Sequence, residues 1–259
     1  MIGRQRDQSN RRGRAKRVYF RLFGPLGTLA DTGPLSMLSI ISTPIGNLGD
    51  ITLRAIETLK KCDAIVCEDT RVTGNLLKQL NIEKKELISF HGNSDQGKID
   101  FILRKLKEGA HLALVTDAGT PGISDPGFAI VSRASASGIR IEVVPGPSAF
   151  LAALSGSGLP INQFIYLGFL PLKKGRKTLI ESFKEEERTI VFYESVHRIE
   201  KTLMEVAQAL KDQPERPIVI ARELTKMHEE FVRTTVGALP TTSSTITKKG
   251  EFVVVVGPL

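Results

Sequence analysis

The chain has 259 residues, 41% of them hydrophobic and 25% charged. These are ordinary values for a soluble globular protein, and the length allows one or two domains with sizeable cores. No apolar run approaches the roughly 20 residues of a membrane span. The two cysteines, Cys62 and Cys67, follow no CxxC or Cys/His spacing, which argues against a zinc site or a disulfide and predicts two reduced, buried thiols in a cytoplasmic protein.

The net charge is +8, but residues 1–36 carry +6 of it, eight basic residues against two acidic, leaving +2 for the remaining 223. The charge therefore speaks for a basic arm more than for a nucleic-acid-binding body. Three readings of residues 1–36 compete: a disordered arm that touches RNA, an Arg-rich targeting segment, or an inert tail ahead of a true start at Met37. The expected organisation is a basic extension at 1–36, a first α/β domain at 37–154 and a second at 155–259.

From Leu38 the pattern is regular. Strands are predicted at Leu38–Ser42, Ala64–Cys67, Leu87–Phe90, His111–Thr116 and Ile139–Val144, with helices between them marked by apolar residues at helical spacing, as in Leu53, Ile56 and Leu59. Strands alternating with helices imply a largely parallel sheet covered on both faces. Ser155–Pro160 (SGSGLP) reads as a linker. Beyond it, strands are predicted at Phe164–Leu167, Thr189–Tyr193, Pro217–Arg222 and Phe252–Val256, with helices at Lys177–Phe183 and Arg198–Leu210.

The stretch after the fourth strand, DAGTPGISDPG (Asp117–Gly127), holds three glycines and two prolines in eleven residues. It is too long and too rigid for a plain βα connection of about 2–6 residues, and it lies where open α/β sheets bind ligands. No GxxxxGK(S/T), GxGxxG or GxSxG motif is present, so P-loop, dinucleotide-binding and hydrolase-elbow chemistry are unsupported. What remains is a cleft of backbone amides and carbonyls with few fixed charges, suited to a zwitterionic or adenosine-like ligand.

Together, STPIGNLGD, CEDTR, VTDAGTPGISDPG, VVPGPSA and ARELTKMHEE resemble the tetrapyrrole methylase superfamily. Within it they resemble the ribosomal small-subunit methyltransferase I branch, over Met37 to about Val256. The resemblance implies two α/β domains with S-adenosylmethionine between them, a homodimer, no metal, and methyl transfer to the 2′-oxygen of a cytidine in 16S rRNA of the small ribosomal subunit. Carried over by motif, it implies cofactor contacts from Leu48, Ala118, Gly119, Thr120, Ile123, Ser148, Ala149, Tyr193 and Ala221. The chain departs from the family pattern in its front extension and at Val236–Gly250, where relatives carry a helix and this sequence is Thr/Ser-rich.

A ribose hydroxyl is a poor acid, so a base is expected. Candidates at strand carboxyl ends are Asp69, Glu68, His91 and Glu223. The blander reading of the first two is a loop-shaping ion pair with Arg71, and of His91 a solvated loop residue. His111 reads as structural. Arg71, Arg198, Arg222 and Lys226 are candidates for holding RNA phosphates, or else solvated charges. Two rival readings remain: a methyltransferase of the same fold acting on a tetrapyrrole or a protein side chain, and a catalytically inactive ribosome-assembly binder.

Overall fold

A computed structural model describes residues 36–92 and 96–259. The readings of the basic extension lie outside these residues, apart from Ser36.

The first half builds a five-stranded sheet from β1 (Met37–Ile41), β2 (Ala64–Cys67), β3 (Glu86–Ser89), β4 (His111–Leu114) and β5 (Arg140–Val144). All its pairings are parallel, in the order β3-β2-β4-β1-β5. Four helices connect the strands: α1 (Leu53–Lys61), α2 (Thr70–Gln79), α3 (Gln96–Lys107) and α4 (Gly127–Ala136). Side chains alternate across the sheet. Leu38, Val66, Leu112 and Leu114 pack with Ile102, Leu106 and Ile130 of α3 and α4. Ile41, Ile65, Cys67 and Ala113 pack with Leu59 and Leu77 of α1 and α2 on the other face. Both cysteines are buried and unpaired, and burial pushes the Cys62 thiol up to about 11. The chain leaves β1 toward β2 and leaves β4 toward β5. The loops after these adjacent strands therefore diverge at a topological switch point, the ligand-binding crevice of open α/β sheets.

The second sheet is mixed. It comprises β6 (Phe164–Phe169), β7 (Thr189–Glu194), β10 (Phe252–Val256), β8 (Pro217–Arg222) and β9 (Glu230–Thr235) in that order. Only β6 and β7 run parallel; β10 is antiparallel to both its neighbours, and β9 to β8. One face is covered by α6 (Arg176–Glu181), α7 (Ile199–Ala209) and α8 (Leu239–Thr245). The other is covered by α5 (Ala149–Ser157), whose Ala153 and Leu154 pack on Val191, Val219 and Val255 together with Ile45 from the loop after β1.

Three sequence expectations change here. Ser155, Gly156 and Ser157 are the last turn of α5, not a linker, because α5 is held by packing on the second sheet. The strand β9 was not foreseen. The Thr/Ser-rich stretch after Val236 keeps a helix, α8, seated through fully buried Leu239.

Candidate active site

The loops after β1 and β4 are tied together by a two-way bridge. Thr43 N donates to Gly119 O at 2.8 Å, and Gly119 N to Thr43 O at 3.1 Å. Thr43 Oγ1 donates to Thr116 O at 3.0 Å. Gly119 holds φ +89°, a conformation that glycine adopts without a Cβ penalty. Asp125 staples the rest of the loop: its carboxylate oxygens accept from Gly122 N at 2.8 Å and Gly127 N at 2.7 Å. Thr120 Oγ1 reaches across to Pro147 O at 3.1 Å and Ser42 Oγ at 2.9 Å, so the PGPSA turn is fixed to the same frame.

Facing this frame are Phe169 of β6, Tyr193 and Glu194 of β7, Ser195 and Val196 of the turn after it, and Gly250 to Val253 leading into β10. Together they enclose a cavity of about 470 Å³, within the usual range for small-molecule sites. Tyr193 is half-buried, its ring edge-on to Tyr166 at 5.5 Å and tilted to Phe169 at 5.4 Å. Burial pushes its phenol well above the usual tyrosine range, so it stays a neutral hydrogen-bonding group, accepting from Phe150 N at 3.3 Å.

Five acidic residues, Glu68, Asp117, Asp125, Glu194 and Glu251, lie along the lining, and among the described residues no Lys or Arg does. Glu194 is turned to Arg198, Glu251 to Lys226 and both Asp125 oxygens to loop amides. A polyphosphate would meet no cation in this lining. Ser148 Oγ is buried there without a hydrogen-bond partner, although it lies near enough to the Tyr193 hydroxyl to ease its ionisation. An unmatched polar atom in an otherwise apolar wall suits a polar group of a ligand. The residues present therefore fit an adenosine-bearing sulfonium with its amino-acid tail.

The foreseen residues divide. Ala118, Gly119, Thr120, Ile123, Ser148, Ala149, Tyr193 and Glu68 all line the cavity. Leu48 sits on a 3₁₀ turn away from the lining, and Ala221 is fully buried in β8 beside Val253, which does line it. Asp69 caps α2 and is gripped by Arg71, whose Nη2 lies 2.6 Å from Oδ2, and this hydrogen bonding holds its carboxyl down at about 2. Glu223 is turned to Lys226 Nζ at 2.9 Å and Glu251 N at 3.1 Å, and the Lys226 hydrogen bond lowers it. Its side chain lies over Gly250 (φ +88°), where a Cβ would run into the carboxylate. His91 follows β3 at an exposed position outside the cavity.

Of the proposed phosphate ligands, Arg198 is bound to buried Glu194 at 2.8 Å and to Leu170 O at 3.1 Å. Arg222 is bound to Glu230 at 3.0 Å, and Lys226 to Glu223 and Glu251, both at 2.9 Å. The Arg71 side chain is the most exposed of the four, at 87%, although its Nε and Nη2 are held by Asp69.

Sequence reasoning missed Asp117, Phe169, Glu194 and Gly250–Val253. Asp117 opens the glycine-rich loop and was in plain view; the β10 residues were not, because an antiparallel strand brings its amino end to the cavity.

The family model for Tetrapyrrole (Corrin/Porphyrin) Methylases matches residues 37–240. The chain belongs to this family. It is 47% identical over 199 residues to the ribosomal RNA small subunit methyltransferase I of Thermotoga maritima, covering 77% of this chain and 88% of that protein. It is 45% identical over 222 residues to the protein of the same name from Escherichia coli O157:H7, covering 85% and 77%. Solved tetrapyrrole methylases share the fold at lower identity. A cobalt precorrin-4 methyltransferase superposes with a TM-score of 0.64 at 20% identity, over 86% of this chain and 95% of that one. A uroporphyrin-III C-methyltransferase from Thermus thermophilus, complexed with S-adenosylhomocysteine, does so at 0.60 and 18%, over 85% and 97%.

Proposed function

We propose that this member of the tetrapyrrole methylases transfers a methyl group from S-adenosylmethionine to the ribose 2′-oxygen of a cytidine in 16S rRNA of the small ribosomal subunit. The observation that carries the cofactor is the cavity of small-molecule size between the bridged glycine-rich loop and Tyr193 and Phe169, with no Lys or Arg among its described lining residues. The acceptor rests on the rRNA methyltransferases that are 44–47% identical to this chain.

When bound, S-adenosylmethionine supplies a methyl group already activated by its sulfonium. The chain's own residues bind, orient and exclude water. The Ala118–Thr120 backbone, fixed by the Thr43 bridge, and the Ser148–Ala149 pair would hold the cofactor. Tyr193 and Phe169 would supply the apolar wall of its site. Alignment of this kind supplies much of a transfer rate. Arg71, the most exposed of the candidate cations, grips a phosphate near the target nucleotide. The protein works in the cytoplasm, where the ribosome is, and as a homodimer. Among the described residues no helix is long and apolar enough to cross a membrane.

The test is incorporation of labelled methyl into small ribosomal subunits, naked 16S rRNA and a tetrapyrrole acceptor. Labelled ribose in the rRNA or subunit samples is the expected result. Label in the tetrapyrrole alone, or in none of the three, refutes the reading.

A further inference from the structure

We propose that Asp117 is the base that takes the proton from the acceptor hydroxyl, an inference that rests on the methyl-transfer reading above.

The argument is by geometry and by what each carboxylate already does. Asp69 is spent on Arg71, and Glu223 on Lys226 and the Glu251 amide. Both Asp125 oxygens take loop amides, and Glu194 is buried against Arg198. Glu68 Oε2 is bound by Thr116 Oγ1 at 2.8 Å; its other oxygen makes no hydrogen bond among the described residues, but Glu68 is half-buried whereas Asp117 is exposed. Asp117 Oδ1 accepts from Asp69 N at 3.1 Å, while Oδ2 has no hydrogen bond among the described residues. Asp117 is exposed at the rim of the cavity, where a macromolecular acceptor arrives. Its backbone lies between Thr116, whose carbonyl Thr43 Oγ1 holds, and the bridged Gly119, so the carboxylate is carried on a fixed frame. Ser148, which also borders this cavity, is nine-tenths buried with its Oγ close to the Tyr193 hydroxyl and otherwise unmatched.

The titratable groups facing Asp117 are Glu68, Asp69, Arg71 and the buried Cys67 thiol. Although the residue as a whole is exposed, partial desolvation of its carboxyl, then the two neighbouring carboxylates, raise its pKa against the opposing pull of the Asp69 amide and Arg71. A raised carboxyl is a better proton acceptor than one held down, as Asp69 is. In the step, the proton passes from the hydroxyl to Asp117 Oδ2. The electron pair left on the ribose oxygen forms the bond to the methyl carbon, and the pair of the broken carbon–sulfur bond goes to sulfur.

The variant is Asp117→Asn, which keeps volume and an oxygen to accept from Asp69 N. In single-turnover methylation of small subunits at saturating cofactor, its rate should fall by about 10²-fold, and the acid limb of the wild-type pH–rate profile should disappear, with cofactor affinity retained. A second readout needs no turnover. Because the folded-state pKa is raised, the charged form is disfavoured in the fold, so the cofactor-free variant should melt higher than wild type at neutral pH, the difference closing as pH falls toward the ordinary carboxylate range. A merely structural role predicts the reverse, a lower melting temperature. If wild type methylates and Asp117→Asn does so at the same rate with the same acid limb, the inference is wrong while the methyl-transfer reading stands. If wild type binds cofactor but labels no RNA, it is that reading which fails.

Discussion

Glu194 is the side chain whose loss should be felt most widely. It is fully buried and its two oxygens meet Ser195 N at 2.8 Å, Arg198 Nη2 at 2.8 Å, Thr202 Oγ1 at 2.6 Å and Arg176 Nη2 at 3.7 Å. Glu194→Gln conserves volume but leaves two arginines without their shared counter-charge. Removing one partner of a buried ion pair costs about 3–5 kcal/mol. The lower end applies, because Arg176 keeps Glu205 at 2.8 Å and Arg198 is partly solvated. At about 2–4 °C per kcal/mol for a unit of this size, the melting temperature should fall by roughly 6–12 °C. The network also ties Leu170 O and Pro171 O to the β7–α7 turn through Arg198 and Arg176, so cofactor affinity, measured by calorimetry below the melting range, should weaken. A Glu194→Gln protein that melts within about 2 °C of wild type, on that same scale, and binds cofactor normally would refute the reasoning.

Gly156→Ala places a methyl group against the ring of Phe231 where α5 packs on β9; overpacking of about 1–3 kcal/mol is expected, and urea unfolding showing no loss would contradict that packing. His111 is pushed below its ordinary pKa mainly by burial; the unfolded chain then takes up a proton near pH 6.5 that the fold resists. Stability should therefore fall as pH drops below about 6.5, and His111→Gln should flatten that acid limb in unfolding titrations at several pH values. Arg71→Ala should weaken RNA binding at low salt and reduce the salt slope by about one contact, with little effect on the single-turnover rate; an unchanged slope would take Arg71 off the RNA.

The strands that could be read from sequence are those buried on both faces. Ala64–Cys67 and Phe252–Val256 are unbroken apolar runs because helices cover each side of their sheets. The edge strand β9, EFVRTT, has no such run and was invisible. Helix α5 escaped because Ser155, Gly156 and Ser157 carry turn composition, and α8 because LPTTSST is poor in helix formers; packing overrides propensity in both. The cavity was legible on the first sheet, where parallel strands all deliver their carboxyl ends to one side. On the second it was legible only at Tyr193, on a strand end, and not where antiparallel β10 delivers Gly250 to Val253 from its amino end. The charges of Arg198 and Arg222 could not be sorted from solvated ones without seeing Glu194 and Glu230 across from them.

The place of β10 bears on how the protein is made. It follows every other strand in the sequence, yet sits in the middle of its sheet between β7 and β8. During synthesis, all five strands of the first sheet have emerged once Val144 is out, whereas β7 and β8 must wait with open edges until Phe252–Val256 arrive. Unpaired apolar edges are templates for aggregation. A nascent chain stalled just short of β10 thus leaves one edge each of β7 and β8 unpaired.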